Sequence, residues 1–223
     1  MKSSFISVVF VLLASAAGVF AQDSEPVCTT NRTAPPISTY SWPPDTTVKV
    51  YFMRDMFSAE QRTTLFAAMT SWTAGAERVG AGVRFVDAGD TDGKVSCKGC
   101  LTIMRREVHK YDKKRYAYFF PLKHDRNGWL ESAWIDFDYA TTNPKALQGY
   151  MAHELGHGMG LWDCPNCQKN RSIMSGFPGI NRDNGLISPS ACDLEVVRGI
   201  YRHTRNVALN SPASVSETAL AGK

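Results

Sequence analysis

The residues with the clearest capacity for chemistry lie in one stretch, His153-Glu154-Leu155-Gly156-His157. On a helix, residues four apart lie on the same face, so His153 and His157 can direct their rings at one metal ion. Glu154 lies beside them and is not needed as a ligand, so it can act as a general base. This spacing predicts a zinc hydrolase. The alternative is that both histidines are ordinary polar residues of a surface helix.

A third ligand is expected shortly after this pair, because a catalytic zinc usually takes three protein ligands and keeps a fourth position for water. A helix that continued past His157 would carry the chain away from the ion. Gly158 and Gly160 can end the helix, since glycine tolerates the left-handed conformation. A turn at Gly160 would return Asp163 to the metal, and we predict Asp163 as the third ligand.

The segment from His153 to Asp163 resembles H-E-x-x-H-x-x-G-x-x-D, the zinc signature of the metzincin metallopeptidases in its snapalysin-like form, where Asp is the third ligand. Met174 fits the position of the methionine turn that metzincins carry beneath the metal; the alternative is a methionine that fills a core. The resemblance implies a zinc endopeptidase with one Zn²⁺, in which Glu154 activates the attacking water. Gly176 stands where astacins have a tyrosine that assists catalysis, so we do not expect that assistance.

The remaining pattern predicts the elements that position these residues. Ser58-Ala59-Glu60-Gln61 has the form of a capping box, and Asn143-Pro144 is a typical helix start. Apolar periodicity predicts helices over 58–79 and 191–203, an active-site helix after residue 143, and strands at 48–52, 83–86, 101–104, 116–121 and 132–138. We expect an α+β fold that is metzincin-like, with a matrix-metalloproteinase-like core: a twisted mixed β-sheet with an edge substrate strand, two main helices and a C-terminal helix.

Two further features are implied by the resemblance. Substrate would pair as an added strand with the edge strand at Tyr116, Ala117, Tyr118 and Phe119, although a buried core strand has the same composition. Phe177, Pro178 and Ile180 stand where the family builds its main specificity pocket, and core packing explains them equally well.

The sequence also suggests a possible calcium-binding loop and two possible sites of N-glycosylation. The acidic, glycine-containing stretch Asp87–Gly93 suggests a Ca²⁺ loop, and a solvated acidic turn is the alternative. Asn31 and Asn170 open N-x-S/T triplets and are glycosylation candidates.

The first 21 residues predict a secretory signal peptide, with Lys2 near the start, an apolar stretch and small residues before a cut after Ala21. We therefore expect a signal peptide at 1–21, an N-terminal extension at 22–45, a catalytic domain at 46–205 and a disordered tail at 206–223. The net charge of +4 is too small to indicate nucleic acid or an anionic membrane as partner. We expect a secreted, extracellular monomer that acts on protein or peptide substrates.

Six cysteines in an exported chain favour three disulfides. Of the 15 pairings that are possible, we choose Cys97–Cys100, Cys164–Cys167 and Cys28–Cys192. One alternative is a structural zinc held by the two C-x-x-C units. Another is that Cys28 blocks the metal, as the latency cysteine of matrix metalloproteinases does, although the residues around it do not match that motif.

Two other functions stay open from the sequence. A non-catalytic secreted binding protein could keep the fold, but it would have no use for Glu154, which is dispensable for holding metal. A zinc hydrolase that acts on something other than protein would have no use for an edge strand that pairs with peptide.

Overall fold

The computed structural model describes residues 27–111, 116–175 and 185–210. Within these ranges the elements follow the order strand, helix, strands, active-site helix and closing helix. They are β1 (Thr47–Met53), α1 (Ala59–Arg78), β2 (Arg84–Thr91), β3 (Cys100–Arg106), α2 (Val108–Tyr111), β4 (Ala117–His124), β5 (Leu130–Asp138), α3 (Pro144–Gly158) and α4 (Ala191–Asn210). The short helix α2 has no counterpart in the sequence prediction.

The described strands form one five-stranded sheet in the order β2-β1-β3-β5-β4. Strand β1 pairs in parallel with β2 and β3, β3 pairs in parallel with β5, and β4 pairs antiparallel with β5. The fold is therefore α+β with a mixed sheet, as predicted. Strand β4 lies at the edge, and no strand among the described residues pairs with its outer side. Ala117 and Phe119 of this strand are buried in the core.

Helix α1 begins and ends as its sequence predicts. Ser58 Oγ accepts a hydrogen bond from the Gln61 amide at 3.2 Å, and Gln61 Oε1 accepts one from the Ser58 amide at 3.1 Å, which completes the capping box. Val79 is the C-terminal cap. The predicted apolar face, which includes Leu65 and Trp72, is buried against the sheet and α3.

Helix α3 carries the predicted metal ligands and lies in the protein interior. Asn143 caps it, because its side-chain oxygen accepts from the Ala146 amide at 3.0 Å, and Pro144 is its first residue. The Trp72 indole nitrogen donates to the Ala152 carbonyl oxygen at 2.7 Å, one residue before His153. This buried bond fixes α3 against α1 beside the site.

The connection between β5 and α3 is held by Arg105, whose side chain is buried. Its guanidinium donates to the carbonyl oxygens of Met56 at 3.0 Å, Asp138 at 2.9 Å and Thr141 at 3.2 Å. Burial lowers the pKa of Arg105 from its ordinary value. These bonds satisfy loop carbonyls that would otherwise be buried without partners, and they fix where α3 begins.

Two element boundaries differ from the sequence prediction. Strand β2 continues to Thr91, so most of the acidic stretch considered for Ca²⁺ belongs to a strand. Helix α4 continues to Asn210 instead of ending near His203, so the predicted start of the tail at residue 206 lies within a helix. No helix among the described residues is both long enough and apolar enough to span a bilayer.

We predict that Trp72→Phe lowers the free energy of unfolding by about 2–4 kcal/mol, because it leaves the Ala152 carbonyl without its buried donor and opens a cavity. Trp162→Phe is the matched control, since that side chain is 48% exposed, and it should change stability by less than about 0.5 kcal/mol. Urea unfolding followed by circular dichroism measures both variants. Equal effects of the two substitutions would contradict the role assigned to Trp72.

Candidate metal centre

The structure brings the three predicted ligands together. His153 Nε2 lies 3.0 Å from Asp163 Oδ1, and His157 Nε2 lies 3.6 Å from the same oxygen. Among the described residues, these three form the one group of histidine, cysteine or carboxylate side chains with metal-site geometry, their ligand atoms all within 4.8 Å of one another. Both histidines are buried and Asp163 is partly exposed, so the group opens to solvent on one side.

These distances fit zinc. Tetrahedral zinc with bonds of about 2.0–2.2 Å to nitrogen and oxygen places neighbouring ligand atoms about 3.3–3.6 Å apart. The separation of 3.6 Å from His157 lies at the upper end of that range, and the separation of 3.0 Å from His153 lies slightly below it. Two imidazoles and one carboxylate are also a donor set found in catalytic zinc sites, with a fourth position for water.

The backbone fixes the orientation of both imidazoles. His153 Nδ1 lies 3.0 Å from the carbonyl oxygen of Ile173, and His157 Nδ1 lies 3.0 Å from that of Leu161. A carbonyl can only accept, so each Nδ1 carries the proton and donates it. When the ring is neutral, Nε2 is then the nitrogen free to bind a metal, and in both residues it faces Asp163. Hydrogen bonds of this kind set the tautomer of a metal-binding histidine.

Glu154 lies beside the three ligands without belonging to them. Its side chain is buried, and Oε2 is 3.9 Å from His157 Nε2. Its role as a base that does not bind the metal stays a prediction. A carboxylate here can exchange a proton with a molecule bound at the ligand triad.

The chain reaches Asp163 by the turn that the glycines predict. Helix α3 ends at Gly158, Met159 caps it, and Gly160 has a φ of +90°. A Cβ added to Gly160 would lie 2.9 Å from Ile200 Cδ1 on α4. The dihedral angle therefore favours glycine at this position, and a Cβ would also force the Ile200 side chain to shift.

Met174 lies directly beneath the ligand helix. It is fully buried, and a Cβ added to Gly156 would collide with its Sδ. The preceding residue, Ile173, supplies the carbonyl that accepts from His153. The position expected for a methionine turn thus supports both the helix and one ligand from below.

Asp193 is a buried residue of this region that the sequence analysis did not single out. Its carboxylate accepts hydrogen bonds from the Ile173 amide at 2.8 Å, the Ser190 amide at 2.8 Å and the Ser172 hydroxyl. Burial raises the pKa of Asp193, and these donors oppose that shift. The available signal was Ser190-x-x-Asp193, a capping-box pattern, which the structure shows as mutual bonds between the two residues.

Tyr40 is a second residue near the metal centre that the zinc motif does not predict. Its ring stacks on Phe119 of β4, with centroids 6.3 Å apart, and Phe119 lies 6.2 Å from the His157 ring. Burial raises the pKa of Tyr40, as do Tyr118 and the carboxylates of Asp163 and Glu154.

The cysteines form three disulfides, Cys28–Cys192, Cys97–Cys100 and Cys164–Cys167, the pairing chosen in the sequence analysis. The alternatives considered there do not occur. The two C-x-x-C units are bonded internally, so they do not hold a structural zinc. Cys28 is bonded to α4, so it does not block the metal centre.

The acidic stretch considered for Ca²⁺ pairs with arginines instead. Asp92 accepts from Arg54 at 2.7 Å, and Asp90 pairs with Arg62. Among the described residues these carboxylates form no group with metal-site geometry. The calcium prediction therefore has no support in the structure.

Of the remaining predicted features, the structure describes the two glycosylation candidates, and the others lie outside the described residues. The glycosylation candidates Asn31 and Asn170 are exposed, each with a positive φ in a turn. Outside the described residues lie the signal peptide at 1–21, the specificity-pocket residues Phe177, Pro178 and Ile180, the position of Gly176, and the chain beyond residue 210.

No protein-family model matches the sequence, and no curated protein matches it. Among solved structures, the chain is similar to myroilysin, with 11% sequence identity and a TM-score of 0.45 over 77% of this chain and 91% of that chain. It is also similar to metalloproteinase II from Bacteroides fragilis, with 12% identity and a TM-score of 0.44 over 76% of this chain and 58% of that chain. The chain thus spans less than two thirds of the Bacteroides protein. We base the functional proposal on the geometry of the site itself.

We predict that Gly160→Ala weakens zinc binding about tenfold or more, because strain in the turn displaces Asp163. Gly80→Ala is the matched control: Gly80 also has a positive φ, of +75°, but has open space around it and lies at the end of α1. Both variants should lose about 1–2 kcal/mol of stability, and Gly160→Ala alone should lose zinc affinity in a competition titration. Unchanged affinity in Gly160→Ala would show that the turn does not position the ligand.

Proposed function

We propose that this chain is a zinc-dependent endopeptidase. The observation that carries the proposal is the convergence of His153, His157 and Asp163, with the buried carboxylate of Glu154 next to them. The ligand group supplies a metal site with a position for water, and the carboxylate supplies a base. This combination has the composition of a hydrolytic centre.

The chain's own residues divide the chemistry between them. A zinc ion bound by the triad would make water more acidic and polarise a carbonyl group. Glu154 accepts the proton of the attacking water and delivers it to the leaving amine. The bonds from the two Nδ1 atoms to backbone carbonyls keep both imidazoles oriented, with Nε2 towards the metal position.

Strand β4 supports a peptide as the substrate. It lies at the edge of the sheet, and its core-facing residue Phe119 is near His157. An extended peptide that added to this edge would receive backbone hydrogen bonds irrespective of its sequence. We therefore assign Tyr116, Ala117, Tyr118 and Phe119 to substrate binding.

Exposed apolar groups beside the metal centre also suit substrate side chains. Trp162, next to Asp163, has its ring 6.2 Å from that of His157. Ile37, which is 64% exposed, bridges to Leu161. Exposed apolar groups at a cleft often mark a binding surface, so we expect an apolar preference at one position of the substrate.

We further propose that the protein is a metzincin with aspartate as third ligand, and that it is exported and works as an extracellular monomer. The order of elements, the antiparallel edge strand and the position of Met174 support the first part. Three disulfides support export, since such bonds persist in oxidising compartments.

The central prediction concerns Glu154. We expect the purified chain to cleave casein, with cleavage abolished by a zinc chelator and restored by added zinc. Glu154→Gln, which keeps the shape of the side chain, should lower kcat/KM by at least about 10²–10⁴-fold and still bind one zinc per chain. Casein cleavage assays together with metal analysis measure both quantities.

Glu131→Gln is the control, because Glu131 is on the surface and pairs with Lys123. It should leave both cleavage and zinc content unchanged. A folded, zinc-loaded wild-type chain that cleaves neither casein nor a library of unstructured peptides would favour the non-catalytic binding protein instead.

A second prediction concerns pH. Histidine must be neutral to bind metal, so activity should fall as acid protonates His153 and His157. Asp163 cancels one unit of zinc charge, so the attacking water loses its proton less readily than beside three neutral imidazoles. We expect a neutral or mildly alkaline optimum in a pH profile of kcat/KM. A maximum below about pH 5 would contradict this ligand set.

A further inference from the structure

The loop that carries the third ligand pairs along its length with residues 34–42, which we call the N-terminal segment. The Trp42 amide donates to the Gly158 carbonyl at 2.8 Å, and the Ser38 amide donates to the Gly160 carbonyl at 2.7 Å. The Trp162 amide donates back to a carbonyl of the segment at 2.8 Å, and a bridge forms between the two stretches in antiparallel orientation. The segment thus fixes the ligand loop up to the residue before Asp163.

The other side of Asp163 is fixed from a different direction. The Cys164 amide donates to the Met174 carbonyl oxygen at 3.0 Å, and Cys164 is bonded to Cys167. Asp163 therefore lies between two residues whose backbone amides are held by separate parts of the chain. If the backbone of either neighbour became more mobile, the Asp163 carboxylate would sample a wider range of positions.

Two of the contacts that anchor the N-terminal segment lie on α4, and Ser41 adds backbone hydrogen bonds to Gly128 and Leu130. At one end, Trp42 is fully buried and its carbonyl accepts a hydrogen bond from the Tyr201 hydroxyl at 2.8 Å. Near the other end, Cys28 is bonded to Cys192. The residue after Cys192 is Asp193, which holds the Ile173 amide beneath the metal centre. Helix α4 thus supports both flanks of Asp163.

We propose that the N-terminal segment positions Asp163 for metal binding, and that Tyr201 and the Cys28–Cys192 disulfide are the positioning residues that hold the segment in place. This inference rests on the proposed zinc site. It implies that selective reduction of this disulfide weakens metal binding even though neither sulfur contacts a ligand. It also implies that residues 34–42 belong to the working enzyme and are not a removable latency segment.

The test compares two double variants of the folded chain. Cys28→Ala/Cys192→Ala removes the anchoring disulfide. Cys97→Ala/Cys100→Ala removes the bond at the start of β3, where Cys100 lies between Lys49 of β1 and Ser132 of β5. We expect the first variant to bind zinc about 10–100-fold more weakly than wild type in a competition titration with a chromophoric chelator. The control should stay within about twofold of wild type.

A readout that needs no metal accompanies this titration. In metal-depleted protein, the Trp162 amide should exchange with deuterium at least about tenfold faster in the first variant than in the control, because its acceptor lies on the N-terminal segment. Unchanged exchange and unchanged affinity would overturn the proposal. A wild-type chain that binds no zinc would overturn the proposed function, whereas the exchange comparison would still test whether the segment holds the loop.

Tyr201→Phe keeps the inference testable if the disulfide variant does not fold. It removes only the hydroxyl that bonds to Trp42 and leaves the ring and all three disulfides in place. We expect a several-fold loss of zinc affinity with faster exchange at Trp162. A Tyr201→Phe chain with wild-type affinity and exchange would contradict the role of this anchor.

Discussion

The metal centre depends on one backbone constraint, the left-handed turn at Gly160. Two ligands come from one face of α3, and a helix cannot supply a third at the required angle. The turn ends the helix and reverses the chain, so that Asp163 reaches 3.0 Å from His153 Nε2. At that position φ is +90°, which strains any residue with a Cβ, and an added Cβ would also force the Ile200 side chain to shift, so the turn favours glycine.

Several unrelated segments converge to make the turn and the helix rigid. Trp72 fixes α3 from α1, Met174 supports it from below, and Asp193 on α4 holds the residue that orients His153. The consequence is that the ligand atoms lie near tetrahedral separations within the protein's own packing. Because the loop is already ordered, metal binding does not have to order it, and the affinity for metal is higher.

The sequence predicts most of this centre because its signals are local. The spacing of His153 and His157, the glycine at 160 and the caps at Ser58 and Asn143 each act within one or two helical turns, and the structure contains all of them. The fold class follows for the same reason, since strand and helix periodicity can be measured over short windows.

What the sequence does not predict arises from contacts between distant residues. Nothing near Tyr201 indicates that its hydroxyl bonds to Trp42, and nothing in the zinc motif indicates that residues 34–42 pair with the ligand loop. For the acidic stretch from Asp87, the sequence leaves a Ca²⁺ loop and a solvated acidic turn open, because both have the same composition. Asp90 and Asp92 pair with arginines that are distant in the sequence, and no local pattern indicates those pairs.

The most direct test of the metal centre is zinc K-edge X-ray absorption on the purified, zinc-loaded chain. We predict one zinc per chain, about four ligands at about 2.0–2.2 Å, scattering from two imidazoles and no sulfur. Replacement of Asp163 by Ala should change this first shell, whereas replacement of the exposed Asp92 should not. A sulfur shell at about 2.3 Å, or a spectrum that is unchanged by loss of Asp163, would contradict the ligand set on which the account depends.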